Sequence, residues 1–146
     1  EGPFTFYSEV SSSADMASED PYLWYDKKRK RFYAIAKYFS SKGKLDTEFG
    51  SLILLTSITG KDWSIANNYL VSPRKINFSN GTEVKLSNLE RPCLLFDKKG
   101  NMQALFAAAA VQNPFNNKSK EVNPLENTFN VHIPLMGNTP TLKKQN

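Results

Sequence analysis

Glu19-Asp20-Pro21-Tyr22-Leu23-Trp24-Tyr25-Asp26-Lys27-Lys28 decides how this chain is read, because it is written twice. Seventy-one positions later stands Glu90-Arg91-Pro92-Cys93-Leu94-Leu95-Phe96-Asp97-Lys98-Lys99. Glu, Pro, Leu, Asp and both Lys recur in place, and Phe96 stands where the first copy has Tyr25. Self-similarity at a fixed spacing marks a repeat architecture. Each copy has an acid-X-Pro head, a short apolar run and a charged turn. A second apolar run follows, Phe32-Tyr33-Ala34-Ile35-Ala36 in one copy and Ala104-Leu105-Phe106-Ala107-Ala108 in the other. Short runs of this kind, bounded by turn residues and without a helical period, read as strands. Each copy therefore opens with a β-hairpin.

Outward from the hairpins, Ser51-Leu52-Ile53-Leu54-Leu55-Thr56-Ser57 is a continuous apolar run of strand length, and Phe129 to Leu135 is its counterpart in the second copy. Ala107 to Ala110 has helical propensity, but the repeat makes it strand. Gly60 in the turn after Ser57 supplies positive φ cheaply, and Trp63 is expected to pack back across the sheet end. Tyr69 to Val71 and Lys75 to Phe78 read as edge or insertion strands, with Asn80-Gly81 a hairpin turn. Ser8 to Ser18, Ser40 to Gly50 and Gln112 to Asn127 read as polar loops, and Phe4 to Tyr7 as a strand.

Three strands per copy and almost no helix predict an all-β chain. Blade-like sheets repeated about an axis form a β-propeller. The expectation is two blades, about 19–78 and 90–136, plus a strand of a preceding blade within 1–18. Two blades cannot close a ring, so their flanking faces need the remaining blades or a second chain. A piece of a larger propeller is the expected form, and Glu1-Gly2-Pro3-Phe4 reads like the interior of a protein.

The 146 residues suffice for one domain with a real core, and the 40% hydrophobic and 23% charged fractions place the chain among globular rather than disordered sequences. No apolar run approaches the roughly 20 residues that span a membrane. The net charge of +5 sits mostly in turns, and no nucleic-acid-binding signature accompanies it. Cys93 is the sole cysteine, which excludes an intrachain disulfide and a cysteine-based zinc site; in an apolar run it is expected to be buried. His132 is the sole histidine, which excludes a His-rich metal site and fits a strand residue.

The order and spacing of Ala17-Ser18-Glu19-Asp20-Pro21-Tyr22-Leu23-Trp24-Tyr25-Asp26, Tyr33-Ala34-Ile35-Ala36-Lys37, Ser57-Ile58-Thr59-Gly60-Lys61-Asp62-Trp63 and Leu89-Glu90-Arg91-Pro92 resemble the five-bladed β-propeller glycoside hydrolases, most closely bacterial glycosidases of the family 43 type. The resemblance covers most of residues 3 to 136. It implies carboxylates projecting from blade-opening strands into a central funnel, namely Glu19, Asp20 and Glu90, with a first-blade Asp upstream of Glu1. It further implies an oligo- or polysaccharide substrate, a secreted or periplasmic location, and no cofactor beyond room for a structural cation in the funnel.

Glycoside hydrolysis needs two carboxyl groups flanking the bond, one protonated and one ionised, and acids crowded into one funnel raise one another's pKa. Arg91, beside Glu90, is a candidate to hold a carboxylate ionised or to bind sugar. Lys37, at the outgoing end of its strand, is a candidate substrate contact. Tyr22 and Trp24 are candidate stacking faces for a sugar ring, although alternate strand residues more often fill a core. A propeller that binds carbohydrate without chemistry, and one that binds protein, are the alternatives.

Overall fold

The computed structural model describes residues 16–40, 45–78, 80–111 and 128–135. Phe4 to Tyr7 and Gln112 to Asn127 lie outside the described residues. Among the described residues there are nine strands and no α-helix, so the chain is all-β. Among the described residues no helix is long and apolar enough to cross a membrane.

β1 (Ser18–Asp26), β2 (Arg31–Tyr38), β3 (Leu52–Ser57) and β4 (Ser64–Ser72) form an antiparallel sheet in chain order. β5 (Lys75–Asn77) and β6 (Glu83–Lys85) form a separate hairpin. β7 (Asn88–Phe96), β8 (Met102–Ala110) and β9 (Thr128–Pro134) form a three-stranded sheet, again in chain order. The first sheet thus has four strands where the repeat led one to expect three. Tyr69 to Val71 belongs to its long edge strand. The Ala-rich run is strand, as its repeat partner requires.

Both sheets follow the period-2 pleat. In β1 the pairs Tyr22↔Ile35 and Trp24↔Tyr33 point one way, toward the three-stranded sheet, while Leu23↔Ala34 and Tyr25↔Phe32 point the other. Ile35, Leu52, Leu86, Leu89, Leu94, Leu105, Ala107, Ala109 and Val131 make the buried layer between the sheets. The alanines of β8 matter here, since small side chains let the two sheets approach. A second layer of Ala34, Tyr38, Ile53 and Leu55 lies on the opposite face of the first sheet, under Trp63, Ile65 and Tyr69. With both faces covered, β3 reads as an unbroken apolar run rather than an alternating one.

Trp63 packs as expected: its Nε1 donates to the Gly60 carbonyl at 3.1 Å, and Gly60 at φ 79° is the turn residue that allows this return. Cys93 does not behave as expected. It is exposed, because Leu94 takes the inward position and the pleat turns Cys93 and Leu95 to a face that no described sheet covers.

The two charged turns are closed by their aspartates. Asp26 accepts from the Arg29 backbone and guanidinium, and Asp97 accepts from the amides of Lys99 and Asn101 and from the Asn101 side chain. These bonds hold both carboxyls below the ordinary aspartate value, for Asp97 chiefly through the Asn101 side chain. A lowered folded pKa gives stability that is present above the unfolded value and is lost as pH falls through the folded one. An Asp97→Asn variant is therefore expected to show a shallower acid limb in unfolding measured against pH. An unchanged acid limb would remove Asp97 from the pH dependence.

Candidate functional site

The acid-X-Pro heads lie at the beginnings of β1 and β7. A proline inside a strand cannot donate to the ladder and is tolerated at bulges. Both heads solve this identically. Glu19 pairs with Lys37 and Tyr22 with Ile35, while Glu90 pairs with Ala108 and Cys93 with Phe106, so each head carries one extra residue. Asp20 and Arg91, the residues before the two prolines, adopt φ of 51° and 52°. Left-handed backbone at a residue other than glycine is unusual and costs roughly 1–3 kcal/mol per residue where the structure enforces it. The bulges turn the head side chains away from the strand's regular pleat.

At the centre lies Lys37. Its Nζ donates to Glu19 Oε1 at 2.7 Å and to Glu90 Oε1 at 2.6 Å. Glu19 is on its own hairpin and Glu90 is on the other sheet, so one ammonium joins equivalent residues of the two copies. The Lys37 side chain is 9% exposed, against 40% for Glu19 and 28% for Glu90. Burial pushes the Lys37 ammonium toward losing its proton, and the hydrogen bonds it donates to Glu19 and Glu90 more than offset this, so its pKa lies above the ordinary lysine value. The Phe39 ring lies 5.6 Å from the same nitrogen.

The other predicted site residues are distributed as follows. Asp20 and Arg91, equivalent in the repeat, approach to 3.8 Å between Oδ2 and Nε, both well exposed. An exposed contact of this length contributes little to stability. Arg91 thus faces Asp20, and Lys37 rather than Arg91 is the cation on Glu90. Tyr22 and Trp24 lie in the layer between the sheets. The Tyr22 hydroxyl donates to the Leu94 carbonyl at 3.3 Å, and Trp24 stacks on Tyr33 with ring centroids 5.3 Å apart. Trp24 is five residues along β1 from Glu19, roughly 15 Å at strand rise, so the aromatic pair sits toward the far end of the sheet from the heads. It lines a cleft of about 1040 Å³ between the two charged turns. A second cleft lies along the first sheet, and neither cleft includes Glu19, Asp20 or Glu90 in its lining.

Among the described residues no three of His, Cys, Asp and Glu gather in a way that could hold a metal ion. The site is therefore two equivalent glutamates around one buried lysine, with an Asp–Arg pair beside them. The sequence placed Lys37 near the site but not as the bridge. The available signal was a lone cation inside Ala34-Ile35-Ala36-Lys37-Tyr38, a buried run where a charge needs partners.

Comparison of the chain with family models, with curated proteins and with solved structures returns no match.

Proposed function

We propose that this chain supplies two neighbouring blades of a β-propeller glycoside hydrolase, with Glu19, Asp20 and Glu90 as its contribution to the catalytic carboxylates. The observation that carries the reading is the convergence of the two blade heads: Glu19 and Glu90, seventy-one residues apart, meet on one Nζ. In such a reaction one carboxyl gives its proton to the glycosidic oxygen as the C–O bond breaks. A second carboxylate either attacks the anomeric carbon or takes a proton from the attacking water. Lys37 positions the pair and offsets the repulsion between them. The two contacts to Nζ hold the Oε1–Oε1 separation to at most about 5.3 Å, the sum of the two distances, which is below the roughly 6.5–9.5 Å at which inverting enzymes admit a water between the groups. If Glu19 and Glu90 act as the pair, the product keeps its anomeric configuration. Inversion would mean that the second carboxylate is another residue.

A second reading, carbohydrate binding without cleavage, is favoured by one observation: both carboxylates are already engaged by Lys37 and neither lines a described cleft. The test is turnover of a panel of aryl glycosides by the full chain, with Glu19→Gln and Glu90→Gln assayed separately. An acid or base contributes typically 10²–10⁴-fold, so each variant is expected to lose activity on that scale. Wild-type rates in both variants remove these glutamates from the chemistry. Sugar binding by calorimetry with no turnover supports the second reading, and neither binding nor turnover overturns both.

A further inference from the structure

The repeat brings its two charged turns to one place. Asp26-Lys27-Lys28 and Asp97-Lys98-Lys99 both line the cleft of about 1040 Å³ between the sheets. Deeper in, the lining is apolar. Tyr22, Trp24, Leu54, Val71, Phe96 and Leu135 are half-buried there, packed against the closed layer between the sheets. The ring centroids of Tyr22 and Phe96 each lie 6.3 Å from that of Trp24.

The carboxylates of the two turns are used up within the turns. Asp26 accepts from the Arg29 guanidinium at 2.6 Å, and Asp97 accepts from Asn101 and from backbone amides. Lys27, Lys28, Lys98 and Lys99 are exposed, and none is within ion-pair distance of a carboxylate among the described residues. Each copy therefore brings two uncompensated ammonium groups to the same apolar cleft. Small-molecule sites are concave, with volumes of roughly 300–1,000 Å³, mostly apolar walls and a few polar groups that orient the ligand. This cleft is at the upper end of that range. Its walls call for an apolar, aromatic body, and its rim calls for negative charge. Residues 136–146 follow Leu135 in sequence but carry Lys143 and Lys144 and no Asp or Glu, so their charge matches the rim instead of complementing it.

We propose that the cleft binds a small aromatic carboxylate, with its ring system among Tyr22, Trp24 and Phe96 and its charge among the lysines of the two turns. Glu19, Asp20 and Glu90 are not in the cleft lining, so the proposal stands or fails separately from the glycosidase reading.

The probes are naphthoate and its neutral isostere naphthamide, titrated into the full chain by calorimetry. Naphthoate is expected to bind about tenfold more tightly, the scale of a few exposed charge contacts acting together. That advantage is expected to vanish at about 1 M salt, where the screening length falls to roughly 3 Å. Replacing Lys27, Lys28, Lys98 and Lys99 together by Gln is expected to remove the same advantage and to leave naphthamide binding unchanged. Met102 lines the cleft and is 39% exposed, so Met102→Asp changes the cleft without opening the core. It is expected to weaken naphthoate about tenfold or more. Circular dichroism of the variants separates loss of binding from loss of fold, and the salt titration needs no variant. Equal affinity for the two probes at low salt, or binding of neither, overturns the proposal. Naphthoate binding that survives both the lysine replacements and Met102→Asp does the same, since the anion would then lie elsewhere.

Discussion

Leu105→Ala is expected to destabilise the chain by about 3 kcal/mol, within the range of roughly 2–5 kcal/mol for truncating a buried leucine. Leu105 is 2% exposed and stands in cross-strand register between Leu94 on β7 and Ile133 on β9, at the centre of the layer joining the two sheets. Its removal takes away apolar burial and leaves a cavity that neighbouring β-strands cannot close, because their spacing is held by backbone hydrogen bonds. Leu95→Ala is the control. The residue type is the same and the strand is a neighbour, but Leu95 is half exposed, so the expected change is about 0.5 kcal/mol or less. Urea unfolding with an unchanged slope measures both. Equal effects would show that the layer between the sheets is not where the stability resides.

Lys37→Met is expected to cost about 2 kcal/mol. Breaking a buried ion pair by removing one partner costs roughly 3–5 kcal/mol, and the partial exposure of Glu19 and Glu90 lets water recover part of that. The sharper expectation concerns coupling. In Lys37→Met the two carboxylates face each other across the vacated position; adding Glu19→Gln and Glu90→Gln removes the repulsion and is expected to restore much of the loss. Simple addition of the separate effects in the triple variant would show that the three groups do not act as a unit. The pH dependence carries the same signature. Because the folded pKa of Lys37 is raised, its contribution is fully present below the unfolded value, near the ordinary 10.5, and is lost as pH rises through the folded value. The alkaline decline of stability is expected to flatten in Lys37→Met.

The duplicated stretch, by itself, determined that the chain is all-β, that each copy opens with a hairpin, and that Ala107 to Ala110 extends rather than coils. These follow from local periodicity and from the requirement that equivalent segments fold alike, and both are legible without knowing what packs on what. The proline at each head likewise marked a break in the ladder, which the paired bulges at Asp20 and Arg91 realise.

Tertiary structure decided the rest. Glu19 and Glu90 both looked like head-group acids, but only the packing of β1 and β2 against β7 brings them to the same ammonium. Arg91, adjacent to Glu90 in sequence, turns to Asp20, because the backbone reverses its pleat at the bulge. Cys93 sits in an apolar run yet is exposed, since burial depends on whether a second sheet covers that face. Sequence spacing assigns each side chain to a face of its own strand; which faces meet is set by long-range packing, where residues seventy-one apart become neighbours and exchange charge, hydrogen bonds and solvent.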